Sequence, residues 1–480
     1  MWRVLLAATC LVGCATDQER DVALYREATG RDVVATHGPH TSSDPLSLAD
    51  ALALTIARNE RLEIAGERLI QALAEIQRRS ASLLPTLDVA AVLTGHDGDG
   101  SARTTTFDAG PVAQYDLLTG MSDFSDVEAA SRDAEVERWL VLDLREAILL
   151  ETGRAYYTAL TADRLIEVLH SSAALQEERL HDARARNEVG LARPLDVAQI
   201  EAQLSRTRAT LLQAEQAAHD ARTALSNLTG ASVGERSLTD GWMAPRRPDA
   251  EDLLAIAAAR RVDLRAAEES VRAARLRVDA EIGRYAPTVS VNLEYFLTRQ
   301  SVPDEREWLA VLSINVPVFS AGRIEADVRA AWSRFRESLL TLSLTRRTIA
   351  ADVDAASARV RSTAARVAEF RRLVELAGET LRQAEGSYSA GLGTNLERLV
   401  AQDALLAAQL ELAQVEAEEK ITSLALLRAI GTLGEGTLGF PPPPERPSDP
   451  LPTSPFIDVA GMGHDRDAPS GRTPPPNTLP

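Results

Sequence analysis

Two hydrophobic periods alternate along this chain, and they do so twice in the same order. From Ser47 to about Leu84 apolar residues recur at helical spacing, Asp50 gives a start signal, and Pro85 closes the run. The period then changes to two: Leu87, Val89, Ala91 and Leu93 fall on one side of a strand. A Gly-, Asp- and Ser-rich loop at 95–105 leads to a return strand near 107–117. The second round reads as helix from about Ala250 to Ala286, stopped by Pro287. Beyond it Val289, Val291, Leu293 and Tyr295 face one way, and Ser290, Asn292 and Glu294 the other. A polar loop at 298–306 follows, and Trp308, Ala310, Leu312, Ile314, Val316 and Val318 share one face of the return strand. Each hairpin precedes a stretch without proline, 121–188 or 323–389, which predicts a helix about 100 Å long. Each stretch ends at a tight turn, around Gly190-Leu191 or Gly391-Leu392, and a return helix runs 195–229 or 395–430.

The identities repeat as well. Residues 49–230 recur at 251–431. Asp50, Arg58, Leu62 and Glu67 reappear as Asp252, Arg260, Leu264 and Glu269, and Pro85 as Pro287, an offset of 202. Asp126, Gly190 and Gly230 reappear as Asp327, Gly391 and Gly431, an offset of 201. A period this long is a duplicated fold half, not a solenoid of short units. The predicted organisation is a signal peptide at 1–13, an N-terminal extension at 14–46, a first repeat at 47–230 with its hairpin at 86–117, a linker at 231–249, a second repeat at 250–431 with its hairpin at 288–319, and a tail at 432–480. The region after Phe440 holds 13 of the 23 prolines, so the tail reads as disordered. The fold class is mostly α, with long coiled-coil helices and one β-hairpin per repeat.

Strands of roughly ten residues match tilted membrane-spanning strands. Alternation alone fits a soluble hairpin with one buried face equally. Outside the amino terminus there is no apolar run of about 20 residues, so any span has to come from strands. One chain offers four strands, whereas a membrane barrel needs about eight or more to close, and open edges are not tolerated in lipid. Two copies would supply eight strands and three copies twelve.

The amino terminus carries one basic residue, Arg3, then an apolar run from Val4 to Val12. That is the form of an export signal. Leu11-Val12-Gly13-Cys14 resembles the bacterial lipobox, in which the cysteine becomes the lipidated first residue; an ordinary short signal peptide with a chance cysteine is the other reading. Ala15 follows, not the Asp that resembles an inner-membrane retention signal, which favours outer-membrane delivery. The chain's two cysteines are Cys10 and Cys14, so cleavage before Cys14 leaves no disulfide framework.

Composition removes several function classes. A net charge of −18 and 4% aromatic residues argue against nucleic acid as a partner. The seven histidines show no paired metal-ligand spacing, and there is no nucleophile elbow or phosphate-binding loop. Gly391-Leu392-Gly393 has no preceding strand and is not a dinucleotide loop. The reading is therefore not an enzyme, with no cofactor and no metal.

The lipobox, the duplicated hairpin between helices and the turn Val189-Gly190-Leu191 together resemble the TolC-like outer membrane factors, lipoprotein type. Pro317-Val318-Phe319 before Gly322, and Tyr388-Ser389-Ala390-Gly391 before the last return helix, are similar to that family's segments at the same places. The resemblance spans about residues 45–431. It implies a homotrimer with a twelve-stranded β-barrel in the outer membrane of a Gram-negative-type bacterium, continued by a periplasmic α-helical barrel. It implies the exit duct of a tripartite efflux pump, working passively with a periplasmic adaptor and an inner-membrane pump. A type I secretion duct is the alternative within the family, and a lipid-anchored coiled-coil scaffold without a channel is the alternative outside it. The resemblance also implies residue roles. Asp196, Tyr388 and Glu397 match periplasmic gate positions, and Val189, Gly190, Leu191, Ala390, Gly391 and Leu392 match the adaptor contact. Gly393 stands where some members carry a gate-holding arginine and Val400 where some carry a second acid. A helix-capping role for Asp196 and Glu397 explains the same residues.

Overall fold

The computed structural model describes residues 18–29, 45–97, 103–243, 250–301 and 306–443. The predicted signal peptide, Cys14 and the tail beyond 443 lie outside them. The elements are α1 (Gln18–Thr29), β1 (Leu46–Ser47), α2 (Leu48–Arg58), α3 (Glu60–Ala81), β2 (Thr86–Asp97), β3 (Arg103–Thr119), α4 (Ser122–Glu188), α5 (Pro194–Thr229) and β4 (Leu238–Thr239). The second repeat follows with α6 (Ala250–Arg260), α7 (Val262–Gly283), β5 (Thr288–Tyr295), β6 (Trp308–Asn315), α8 (Arg323–Ser389) and α9 (Asn395–Ala429); α10 (Leu433–Leu438) comes last. No described helix is long and apolar enough to cross a membrane.

The chain divides into two compact units, each assembled from both repeats. The first takes in residues up to Ile70, Arg138–Val262 and Thr348–Arg446, and its described residues are helical apart from one small parallel bridge and the turns that join the helices. Its core gathers Leu52, Ile56, Leu149, Tyr157, Leu225 and Leu424 around Tyr156. The Tyr156 hydroxyl lies 2.7 Å from the carbonyls of both Leu46 and Thr239 and accepts from the Thr239 N–H at 3.0 Å. It pins the β1–β4 bridge, in which Leu46 pairs with Leu238. Burial pushes this phenol up to about 12. Gly153, the one glycine of α4, lets α9 approach: a Cβ there would meet Leu424 Cδ1 at 2.6 Å.

Helical periodicity predicts one unbroken helix before each proline, and the structure shows two. Ser47 and Asp50 form a capping box at the start of α2, and the helix stops at Asn59. Asn59 Nδ2 donates to the Leu228 carbonyl at 3.1 Å, and its Oδ1 accepts the Arg61 N–H that opens α3. The second copy uses Arg261, whose Nη1 reaches the Ala429 carbonyl at 3.4 Å. Gly230 (φ 61°) and Gly431 (φ 74°) end the return helices there, and a Cβ at either would collide with residue 58 or 260. One further expectation is corrected: the start of the tail folds as α10, with Phe440 buried, while α1 lies in the N-terminal extension and β4 in the linker.

The second unit takes in Gln71–Glu137 and Asp263–Arg347 and contains the hairpins. They form one antiparallel sheet of order β2-β3-β5-β6, so β2 and β6 are its edges. The strand predicted through Val318 ends at Asn315, and the first hairpin runs past 117 to Thr119. Helices flank one another in the matching order. Arg79 of α3 is 3.7 Å from Asp126 of α4, Arg132 of α4 is 3.4 Å from Glu269 of α7, and Arg346 of α8 is 3.6 Å from Glu268 of α7.

Candidate functional site

Two features carry the chemistry: the faces of the sheet in the second unit and the helix–turn–helix tips in the first.

Directly paired residues of an antiparallel sheet share a face. The register pairs Leu87 with Ala113, Val89 with Pro111 and Leu93 with Phe107. It continues through Ala113 with Leu293 and Tyr115 with Val291, then Val289 with Ile314, Val291 with Leu312 and Tyr295 with Trp308. One face is thus apolar across all four strands, and Leu87, Val89 and Ile314 stand exposed on it. The other face carries Asp88, Gln114, Ser290, Asn292 and Ser313, with a minority of apolar residues.

The tips repeat one local design. Gly190 (φ 74°) sends its N–H to the Asn187 carbonyl at 3.0 Å, and Leu191 sends its own to Arg186 at 2.8 Å. Gly391 (φ 75°) and Leu392 bond Tyr388 and Ser387 in the same way, at 3.1 and 2.9 Å. This double bond around a left-handed residue is the usual glycine stop of a helix. It leaves Val189, Leu191 and Leu392 exposed, with open space around both glycines. Ala390 is exposed beside them.

The gate candidates separate into distinct settings. Asp196 is buried and held by Arg193 of its own turn, at 3.1 Å from Nε and 2.9 Å from Nη2. Those bonds hold its carboxyl below the usual range, against a desolvation that works the other way. Glu397 is the third residue of a capping box: its Oε2 accepts the Thr394 N–H at 2.9 Å, and its own N–H donates to Thr394 Oγ1 at 3.2 Å. Tyr388 lies under the Arg398 guanidinium, 4.4 Å from the ring centroid. Among the described residues its hydroxyl makes no hydrogen bond. A side chain at Gly393 would meet Ser387 Cβ at 3.0 Å and Glu397 Oε2 at 3.2 Å, which leaves little room for the arginine that resemblance places there.

Sequence reasoning missed the residues that tie the two repeats together near the tips. Arg179 of α4 donates to Glu385 of α8 and to Gln402 of α9. Burial pulls this guanidinium below its ordinary value, and Glu385 works against that. Gln203 of α5 donates to Asp403 of α9, whose carboxyl is raised by burial. The one signal available was helical spacing of polar residues inside otherwise apolar stripes. Among the described residues no group of three His, Cys, Asp or Glu could hold a metal ion.

The family model for outer membrane efflux proteins matches residues 51–231 and 253–432, one match per repeat. The outer membrane efflux protein BepC of Brucella suis is 24% identical over 68% of this chain and 72% of its own length. The toluene efflux pump outer membrane protein TtgC of Pseudomonas putida is 23% identical, covering 81% of this chain and 83% of TtgC. SilC of Salmonella typhimurium, described as a probable outer membrane lipoprotein, is 21% identical over 78% of this chain and 83% of SilC. Among solved structures, a membrane protein from Pseudomonas aeruginosa superposes with a TM-score of 0.74 at 20% identity, over 80% of this chain and 92% of that one.

Proposed function

The chain belongs to the outer membrane efflux protein family, and we propose that it is the outer-membrane exit duct of a tripartite efflux pump. The sheet carries this reading. It has four strands, a continuous apolar face and two unpaired edges, which in lipid must be closed by further copies. Three copies give twelve strands, with Leu87, Val291 and Ile314 toward lipid and Ser290 and Asn292 toward the lumen. The long helices α4 and α8 continue the wall into the periplasm. Transport through the duct is passive, and an inner-membrane pump supplies the energy.

The tips serve two roles in this reading. Val189, Gly190 and Leu191, with Ala390, Gly391 and Leu392, dock the periplasmic adaptor through exposed apolar side chains on rigid turns. Asp196, Tyr388 and Glu397 line the periplasmic gate, which opens as the two repeats part. The pairs Arg193–Asp196 and Arg398–Tyr388 stiffen the tip of each repeat, and Arg179–Glu385 and Gln203–Asp403 join the two repeats within a protomer. Cys14 anchors the mature chain by lipid, which supplements a barrel that inserts by itself.

The test is reconstitution in a Gram-negative host that lacks its own duct. The chain, expressed with a periplasmic adaptor and an inner-membrane pump from the same genome, is expected to lower retention of a fluorescent dye. Retention equal to the duct-less host, with the protein present in the outer membrane, would refute the reading. Cys14→Ser is expected to abolish labelled-palmitate incorporation while leaving the protein in the membrane; unchanged labelling would remove the anchor.

A further inference from the structure

The duplication supplies a template for a contact that a single chain cannot make. Within one chain α4 of the first repeat packs against α7 of the second, and Asp133 of α4 pairs with Arg277 of α7. The order α3, α4, α7, α8 leaves one face of α3 and one face of α8 open, on the same sides as the sheet edges β2 and β6. The repeat offset maps α8 onto α4 and α3 onto α7. It therefore carries the α4–α7 contact onto α8 and α3.

The residues at the mapped positions are Arg334, at 133 plus 201, and Glu75, at 277 minus 202. The ion pair is present again with its charges exchanged. Exposure follows the same mapping at neighbouring positions, while Glu75 itself is half-buried. Trp139 of α4 is 8% exposed, while its counterpart Leu340 on α8 is 54% exposed, and Leu344 one turn on is 56% exposed. On the inner helices, Glu269 of α7 is buried and its counterpart Glu67 of α3 is exposed. Arg334 is exposed and makes no ion pair among the described residues. Glu75 is bonded to Arg78 and Arg79 of its own helix, and these hold its carboxylate ionised at about 2. A carboxylate offers about four acceptor directions, so it can take a third guanidinium or exchange one.

We propose that the open face of α8 on one protomer binds the open face of α3 on the next through the ion pair Arg334–Glu75, a charge-reversed copy of Asp133–Arg277. The inference rests on the trimeric duct reading and adds to it the residues that set how protomers join.

The experiment uses the purified full chain in detergent. Glu75→Arg and Arg334→Glu are each expected to shift the trimer–monomer midpoint at least ten-fold upward in protein concentration, read by mass photometry. Glu75→Arg combined with Arg334→Glu is expected to return most of that shift. A second arm needs no charge change: Glu75→Cys with Arg334→Cys, treated with a short bismaleimide, is expected to give covalent dimers and trimers on a denaturing gel. Either cysteine alone is expected to give none. A trimeric wild-type chain whose single variants behave as wild type, whose paired variant is no better than the singles, or whose cysteine pair gives no ladder overturns this contact and leaves the duct standing. A wild-type chain that never forms trimers overturns both.

Discussion

Single side chains tie the first repeat to the segments that flank it. The Tyr156 hydroxyl serves two carbonyls and one N–H around the β1–β4 bridge. Tyr156→Phe keeps the ring in the core and strips those partners. A loss of about 1–3 kcal/mol is expected, the usual cost of buried polar groups left unpaired, read as a lower denaturant midpoint at unchanged slope. Asp196 responds to pH with a definite sign. Arg193 depresses its folded value, so the pair's contribution is full above the ordinary carboxylate range and is lost as pH falls through the depressed value. Arg193→Ala should move the Asp196 titration upward toward that ordinary range, measurable by carboxyl NMR of the labelled protein; an unmoved titration would mean the pair is not formed in solution. Capping chemistry at Glu397 was legible because Thr394 stands three residues before it, the spacing of a capping box. Arg193 was not, since its role depends on the side chain folding forward over a proline, which residue order does not reveal.

At the scale of elements, strand phase was legible and helix continuity was not. Alternation from Val289 to Tyr295 names its own two faces, and the observed register carries them across four strands. The helix breaks at Asn59 and Arg261 leave no local trace, because the apolar period runs through them. They are set by carbonyls about 170 residues away, at Leu228 and Ala429. The duplication could have exposed them, since both breaks sit at equivalent positions. Strand phase makes a sharp comparison. Val291→Arg places a charge on the apolar face and is expected to cost about 2–4 kcal/mol at mid-membrane depth, with much less for Asn292→Arg. Equal yields of assembled trimer from the two variants would contradict the assignment of faces. The tip turns allow a second comparison. Gly391 has open space around it but a positive φ, so Gly391→Trp strains the turn and blocks its exposed surface. Efflux is expected to fail with trimer yield retained; full efflux would remove the turn from the adaptor contact.

For the whole molecule, the governing question is what charge a closed duct shows at its periplasmic end. Repeated around the axis of a trimer, Asp196 and Glu397 would form two acidic rings. Structure changes the sum. Each Asp196 has its countercharge, Arg193, in its own turn, and the guanidinium is the more exposed partner of the pair. Glu397 has no cationic partner among the described residues, and its carboxylate accepts the Thr394 N–H. Selectivity for cations should then come mainly from Glu397. Arg193→Ala unmasks Asp196 and is expected to raise the cation-to-anion permeability ratio in single-channel recordings. Asp196→Asn leaves Arg193 uncompensated and is expected to lower it, Glu397→Gln is expected to lower it too, and Arg193→Ala with Asp196→Asn should return near wild type. Tyr388 enters through its ring rather than its hydroxyl. Tyr388→Phe, which keeps the Arg398 contact, should leave conductance unchanged, whereas Tyr388→Ala and Arg398→Ala should each raise it by loosening the closed tip. Identical selectivity in all four charge variants would place the narrowest point of the duct elsewhere and reduce Asp196 and Glu397 to helix-capping residues.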